Sequence, residues 1–142
     1  MIICIDFDGT VVLQDRPWGN LEGELTFIDG AKEALESLKR AGHTLILYSG
    51  RANQANRIDW HKNPGYVNGT IPFDVKAWEK AKPIHEELYK EMLDFVAKEL
   101  PGVFAYIDSG EQGKPSCDLF IDDKNVEFHG DWQEIAFQYG DD

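Results

Sequence analysis

The chain has 142 residues, with 14 Lys and Arg against 26 Asp and Glu, for a formal net charge of −12. This length fits one domain spanning 1–142, and 42% apolar with 12% aromatic residues excludes a disordered chain. The acidic surplus opposes nucleic-acid backbones and anionic membranes as partners and makes divalent cations the natural counterweight.

Residues 2–6 form a short apolar run that ends at a Gly turn, which reads as a buried strand. The run is too short for the core of a signal peptide, and no stretch approaches the roughly 20 apolar residues that span a bilayer. A soluble protein of the cytoplasm is therefore expected. Cys4 and Cys117 each lie in apolar surroundings and are expected to be buried, reduced thiols. Residues 11–27 hold Pro17, Gly19, Asn20 and Gly23 between short apolar stretches, which suggests a hairpin-like flap. Asp29 is placed to cap a helix whose apolar positions are Ala31, Ala34, Leu35, Leu38 and Ala41, and Gly42 is placed to end it.

Residues 44–48 read as a second buried strand, followed by Ser49-Gly50-Arg51 and a helix over about 52–62. Residues 63–83, with four prolines and glycines before Pro83, read as an irregular insertion. From 84 onward, Ile84, Leu88, Met92, Phe95, Val96 and Leu100 mark the stripe of a long amphipathic helix. Pro101-Gly102 stops it. Residues 103–107 and 119–121 read as two more strands, and a last helix begins near Asp131. Trp132 belongs to its core side, while Trp60 and Trp78 are expected to pin the irregular segment by burial. The alternation of strands and helices predicts an α/β domain, a Rossmann-like three-layer sandwich around a mostly parallel sheet.

The polar residues gather at the carboxyl ends of these strands, where ligands of open α/β sheets bind. Asp6 and Asp8 are two apart, so an extended chain points both to one side. Two such carboxylates repel unless a cation intervenes, and Mg²⁺ is a hard, oxygen-seeking match. Thr10 offers a hydroxyl beside them. Ser49 offers another, and Gly50 opens a helix whose free N–H groups favour an anion. Lys114 precedes the fourth strand, and Asp122-Asp123 follows it. Acids for a metal, with hydroxyls, amides and a lysine for an anion, describe a site for a phosphoryl group.

In this order the residues resemble the four motifs of the haloacid dehalogenase superfamily, in its phosphatase branch. Asp6-Phe7-Asp8-Gly9-Thr10 is similar to the first motif, Ser49 to the second, Lys114 to the third and Asp122-Asp123 to the fourth. The resemblance implies a Mg²⁺-dependent phosphomonoesterase. Asp6 would be the nucleophile that forms an aspartyl-phosphate, and Asp8 the general acid and base. Asp6, the Asp8 carbonyl and Asp122 or Asp123 would hold the metal. Ser49 and Lys114 would bind the phosphoryl group, and Lys114 would also neutralise Asp6. With only the flap and about twenty irregular residues to spare, the chain resembles a small capless member with an open site. Such relatives take large substrates or cover the site with a neighbouring subunit, so a homo-oligomer is one expectation. A small phosphate ester is the expected substrate.

Arg51, and Arg16 and Trp18 in the flap, are the candidates to contact the rest of the substrate. Each has an alternative role, a surface ion pair for Arg51 and hairpin packing for the other two. The four histidines show no metal-ligand spacing and are expected at the surface or at helix ends. The charges around 79–90 read as the solvated face of a helix. The rival reading is a non-catalytic phospho-acceptor or phosphate-binding module. A dinucleotide-binding oxidoreductase is disfavoured because no G-x-G-x-x-G opens the first helix.

Overall fold

The computed structural model describes residues 1–15, 21, 23–52, 75–110, 115–122 and 130–141, with only the backbone of 75–79. Four strands form one parallel sheet: β1 (Ile2–Ile5), β2 (Thr44–Leu47), β3 (Tyr106–Ile107) and β4 (Leu119–Ile121). Three helices accompany them: α1 (Ala31–Arg40), α2 (Val75–Glu99) and α3 (Trp132–Tyr139). The fold is α/β with a parallel sheet flanked by helices.

The strand order is β3-β2-β1-β4. The chain steps from β1 outward through β2 to β3, then returns to the far side of β1. This places a topological switch point between β1 and β4, the place where open parallel sheets bind ligands.

Register explains how the core is filled. Ile5 pairs with Leu47 on one side and Ile121 on the other, and Leu47 pairs with Ile107. Paired residues of a parallel ladder share a face, so Ile3, Ile5, Leu45, Leu47 and Ile121 form one apolar surface. Ala31, Ala34, Leu35 and Leu38 of α1 pack into the same core, with Met92 and Val96 of α2 and Trp132 and Ile135 of α3.

Several helix details differ from the sequence expectation. The N-cap of α1 is Gly30, in the left-handed region at φ 80°, and no side chain caps the helix. Asp29 lies one residue too early for the cap expected of it. The exit is as expected: Gly42 has φ 93°, a conformation that Gly adopts without a Cβ clash. α2 begins at 75 and runs through Pro83, so the end of the irregular segment is helical. Pro83 removes one N–H donor from a helix of 25 residues, whose remaining bonds hold it. Among its described side chains His85 is the first that is buried, and Ile84 is exposed instead. His85 is thus a buried histidine, and burial pushes its imidazole pKa down.

α3 starts where expected. Asp131 caps it, its carboxylate accepting from the Glu134 N–H at 3.1 Å. The third strand is shorter than expected, two residues instead of five, because 101–103 form a turn. The flap is seen at its base: the Leu13 N–H donates to the Thr26 carbonyl, and the Ile28 N–H to that of Val11, as in a hairpin. Of the helix expected over 52–62 only Ala52 is described, and it is helical; Trp60, His61, His129 and the Trp78 side chain lie outside the described residues.

Cys4 and Cys117 correct another expectation. They are joined as a disulfide, with Cα atoms 6.2 Å apart, within the span such a bond tolerates. Pairing of Ile3 with Leu119 draws the approach to β4 onto β1 and brings the two residues together. Among the described residues no helix is long and apolar enough to cross a membrane.

Candidate active site

The ladder continues one residue past each strand. The Asp6 N–H donates to the Ile121 carbonyl (3.0 Å), the Tyr48 N–H to Ile5 (2.9 Å) and the Asp108 N–H to Leu47 (2.8 Å). Asp122, Asp6, Tyr48 and Asp108 therefore stand in one row above the paired Ile121, Ile5, Leu47 and Ile107. Asp6 and Asp122 are neighbours in that row, across the switch point.

After Asp6 the chain turns tightly. Phe7 is fully buried, and its carbonyl accepts from the N–H groups of Thr10, Val11 and Val12. Gly9 makes the turn possible with φ 77°. Phe7 is anchored edge-on against Phe95 of α2, with ring centroids 5.9 Å apart. Asp8 comes out of this turn with its side chain 29% exposed.

Arg51 then meets Asp8. Its Nε donates to Oδ2 and its Nη2 to Oδ1, both at 2.8 Å, a two-pronged ion pair. Nη1 donates to the Leu88 carbonyl (2.8 Å) and to Glu91 Oε1 (2.9 Å) on α2. The guanidinium also lies 5.2 Å from the centre of the Phe7 ring. Burial opposes the charge of Arg51, but hydrogen bonds and charges from Asp8 and Glu91 outweigh it, so its pKa is raised.

Ser49 is buried, and its hydroxyl oxygen accepts from the Arg51 backbone N–H at 3.1 Å. Its own proton is what it has left to donate. Residues 50–52 are helical, and Gly50 is exposed, with open space where a Cβ would stand.

Thr10 is placed differently from expectation. It is fully buried, and its carbonyl accepts from Trp132 Nε1 at 2.7 Å. Trp132 bonds to the turn, so Thr10 joins the turn after β1 to α3 and has no exposed surface to offer a ligand. Its Oγ1 has no hydrogen-bond partner among the described residues. Lys114, Asp123, Arg16 and Trp18 lie outside the described residues.

The sequence reading missed two residues. Asp108 follows β3 and is buried, with the Gly110 N–H donating to its Oδ2 at 3.1 Å. Burial, only partly offset by that bond, raises its pKa. The signal was present: Ile107-Asp108-Ser109-Gly110 repeats the pattern of the first motif, an apolar strand, an acid, then a glycine. Glu91 carried no such signal, because one acid among the charges of an amphipathic helix looks like the rest.

Among the described residues no group of three or more His, Cys, Asp or Glu side chains is gathered for a metal. The expected set differs in kind, with two carboxylates and a main-chain carbonyl. Asp6 and Asp122, side by side in one row, fit that set, and all its donors are the oxygens that Mg²⁺ prefers.

No protein-family model and no curated protein matches the chain. Among solved structures it is similar to a conserved protein from Bacteroides thetaiotaomicron, at 26% identity and a TM-score of 0.53. The match covers 97% of this chain and 89% of that one. That protein is described only as conserved, so the likeness supports the α/β fold along nearly the whole chain and carries no activity.

Proposed function

We propose that the protein is a Mg²⁺-dependent phosphomonoesterase, a small capless hydrolase of the haloacid dehalogenase type. The observation that carries this reading is the pair Asp6 and Asp122 across the switch point, with Asp8 and Ser49 just beyond. Asp6 would attack the phosphorus of the ester, and the alkoxide or phenoxide would leave with a proton from Asp8. Asp8 would then take a proton from the water that hydrolyses the aspartyl-phosphate. Ser49 and the amides near Gly50 would donate to the phosphoryl oxygens. Arg51 is committed to Asp8 and Glu91, which supports a place inside the site over a surface pair.

Asp6, Asp122 or Asp123, and the Asp8 carbonyl would hold Mg²⁺, which would offset the carboxylate charge as a phosphate dianion approaches. Lys114 would serve the same phosphate. Arg16 and Trp18 would contact the remainder of the substrate, a small ester given the net charge of −12. A nucleic acid is disfavoured on the same ground, and a second subunit would be the natural cover for an open site. A cytoplasmic setting accords with the absence of a membrane-length helix among the described residues.

The test is phosphate release from a panel of phosphate monoesters, with and without Mg²⁺. Turnover that needs Mg²⁺ and vanishes in Asp6→Asn is expected. No release above Asp6→Asn on any ester would refute the reading.

A further inference from the structure

We propose that Glu91 is a positioning residue of the site, acting on Asp8 through Arg51. The proposal rests on the phosphomonoesterase reading above and adds to it a residue on α2, far in sequence from every strand end. A guanidinium has five N–H donors, one on Nε and two on each terminal nitrogen. Four are used: Nε and one on Nη2 by Asp8, and both on Nη1 by Leu88 and Glu91. The fifth, on Nη2 beside Asp8, has no partner among the described residues.

The arrangement is a chain of fixed contacts. Arg51 has a long side chain that visits many rotamers when free. The Phe7 ring limits it on one face. The Leu88 carbonyl and Glu91 hold Nη1, so the opposite edge, Nε and Nη2, stays turned to Asp8. Asp8 is in turn gripped by both oxygens. The fifth donor shares its nitrogen with the contact to Asp8, so the orientation of Arg51 sets both together. Glu91 is itself partly buried, its side chain 20% exposed and that of Arg51 10%. An ion pair so shielded holds geometry better than one in open water. Glu91 touches neither reacting atoms nor metal in this scheme. Its contribution is the orientation of Arg51.

The experiment is steady-state kinetics on the full chain with an aryl phosphate and Mg²⁺, for wild type, Glu91→Gln, Glu91→Asp, Arg51→Lys and Glu91→Gln with Arg51→Lys. Melting temperatures and the NMR signal of the Arg51 Nε–H are read on the same samples. Glu91→Gln is expected to lower kcat about tenfold, as a misplaced group does, with KM changed little. Glu91→Asp keeps the charge and shortens the reach, so it should lose kcat while its melting temperature holds. Glu91→Gln should add nothing in the Arg51→Lys background, because both changes break one chain of contacts. The Arg51 Nε–H signal should shift in Glu91→Gln, a readout that needs no turnover. Wild-type kcat in both Glu91 variants, or losses that multiply in the double variant, would overturn the proposal and leave the hydrolase reading standing. Absence of turnover in the wild type overturns the hydrolase reading itself, and the proposal with it.

Discussion

At the scale of single residues, Asp108 is a poorly solvated carboxylate beside the candidate site. Asp108 has its pKa raised by burial, so its charged form is less stable in the folded chain than in the unfolded one. Its cost is therefore absent at low pH, where the carboxyl is protonated in both states. The cost sets in as pH rises past the ordinary carboxylate range. Asp108→Asn removes the charge and keeps the shape. It should raise the melting temperature at pH 8 and leave it nearly unchanged at pH 3, and thermal melts at the two pH values check this. Gly50 is helical and has open space where a Cβ would stand, so Gly50→Ala should add about 0.5–1 kcal/mol of stability in a denaturant titration. The disulfide is a third case at this scale. Cys4 and Cys117 close a loop with a sequence separation of 113. Loop-entropy reasoning assigns such a cross-link about 4–5 kcal/mol. Reduction, or Cys117→Ser, should lower the denaturation midpoint accordingly.

At the scale of elements, apolar periodicity decides what is legible. β1, β2 and β4 are short apolar runs with an acid or an aromatic just past the end, and the structure places them within one residue of expectation. α1 is equally plain: Ala31, Ala34, Leu35 and Leu38 recur at helical spacing and are all buried. Leu35→Ala should cost about 2–5 kcal/mol, the usual range for a cavity at a fully buried position, measured by urea unfolding. What was not legible depends on neighbours in space. Nothing local says that α2 passes through Pro83, since helices usually end before a proline. His85 in place of Ile84 on the buried stripe reflects where α2 meets the core, which periodicity alone leaves one residue loose. The Cys4–Cys117 pair follows from β4 lying beside β1, a choice of strand order that the sequence does not state. The candidate site divides the same way. Asp6, Asp8, Ser49, Arg51 and Asp122 were visible as polar residues after apolar strands. Glu91 was invisible, because its role is created by α2 crossing near residues 50–52.

At the scale of the whole molecule, strand order decides which residues meet. The order β3-β2-β1-β4 puts two acids from strands far apart in sequence, Asp6 and Asp122, in adjacent places at the switch point. α2 supplies Glu91 and the Leu88 carbonyl from one side, and α3 supplies Trp132, which ties down the turn at Thr10. The proposed function would use only a few of the acids behind the net charge of −12. The central claim is that Asp6 carries the phosphoryl group during turnover. Rapid acid quench of the full chain with Mg²⁺ and an aryl phosphate, followed by peptide mass spectrometry, tests it most directly. A transient gain of one phosphoryl group is expected on the peptide that contains Asp6, lost within a turnover and absent in Asp6→Asn. Turnover with no such adduct would contradict the account, and so would an adduct that persists for hours without release of phosphate, the behaviour of a phospho-acceptor module.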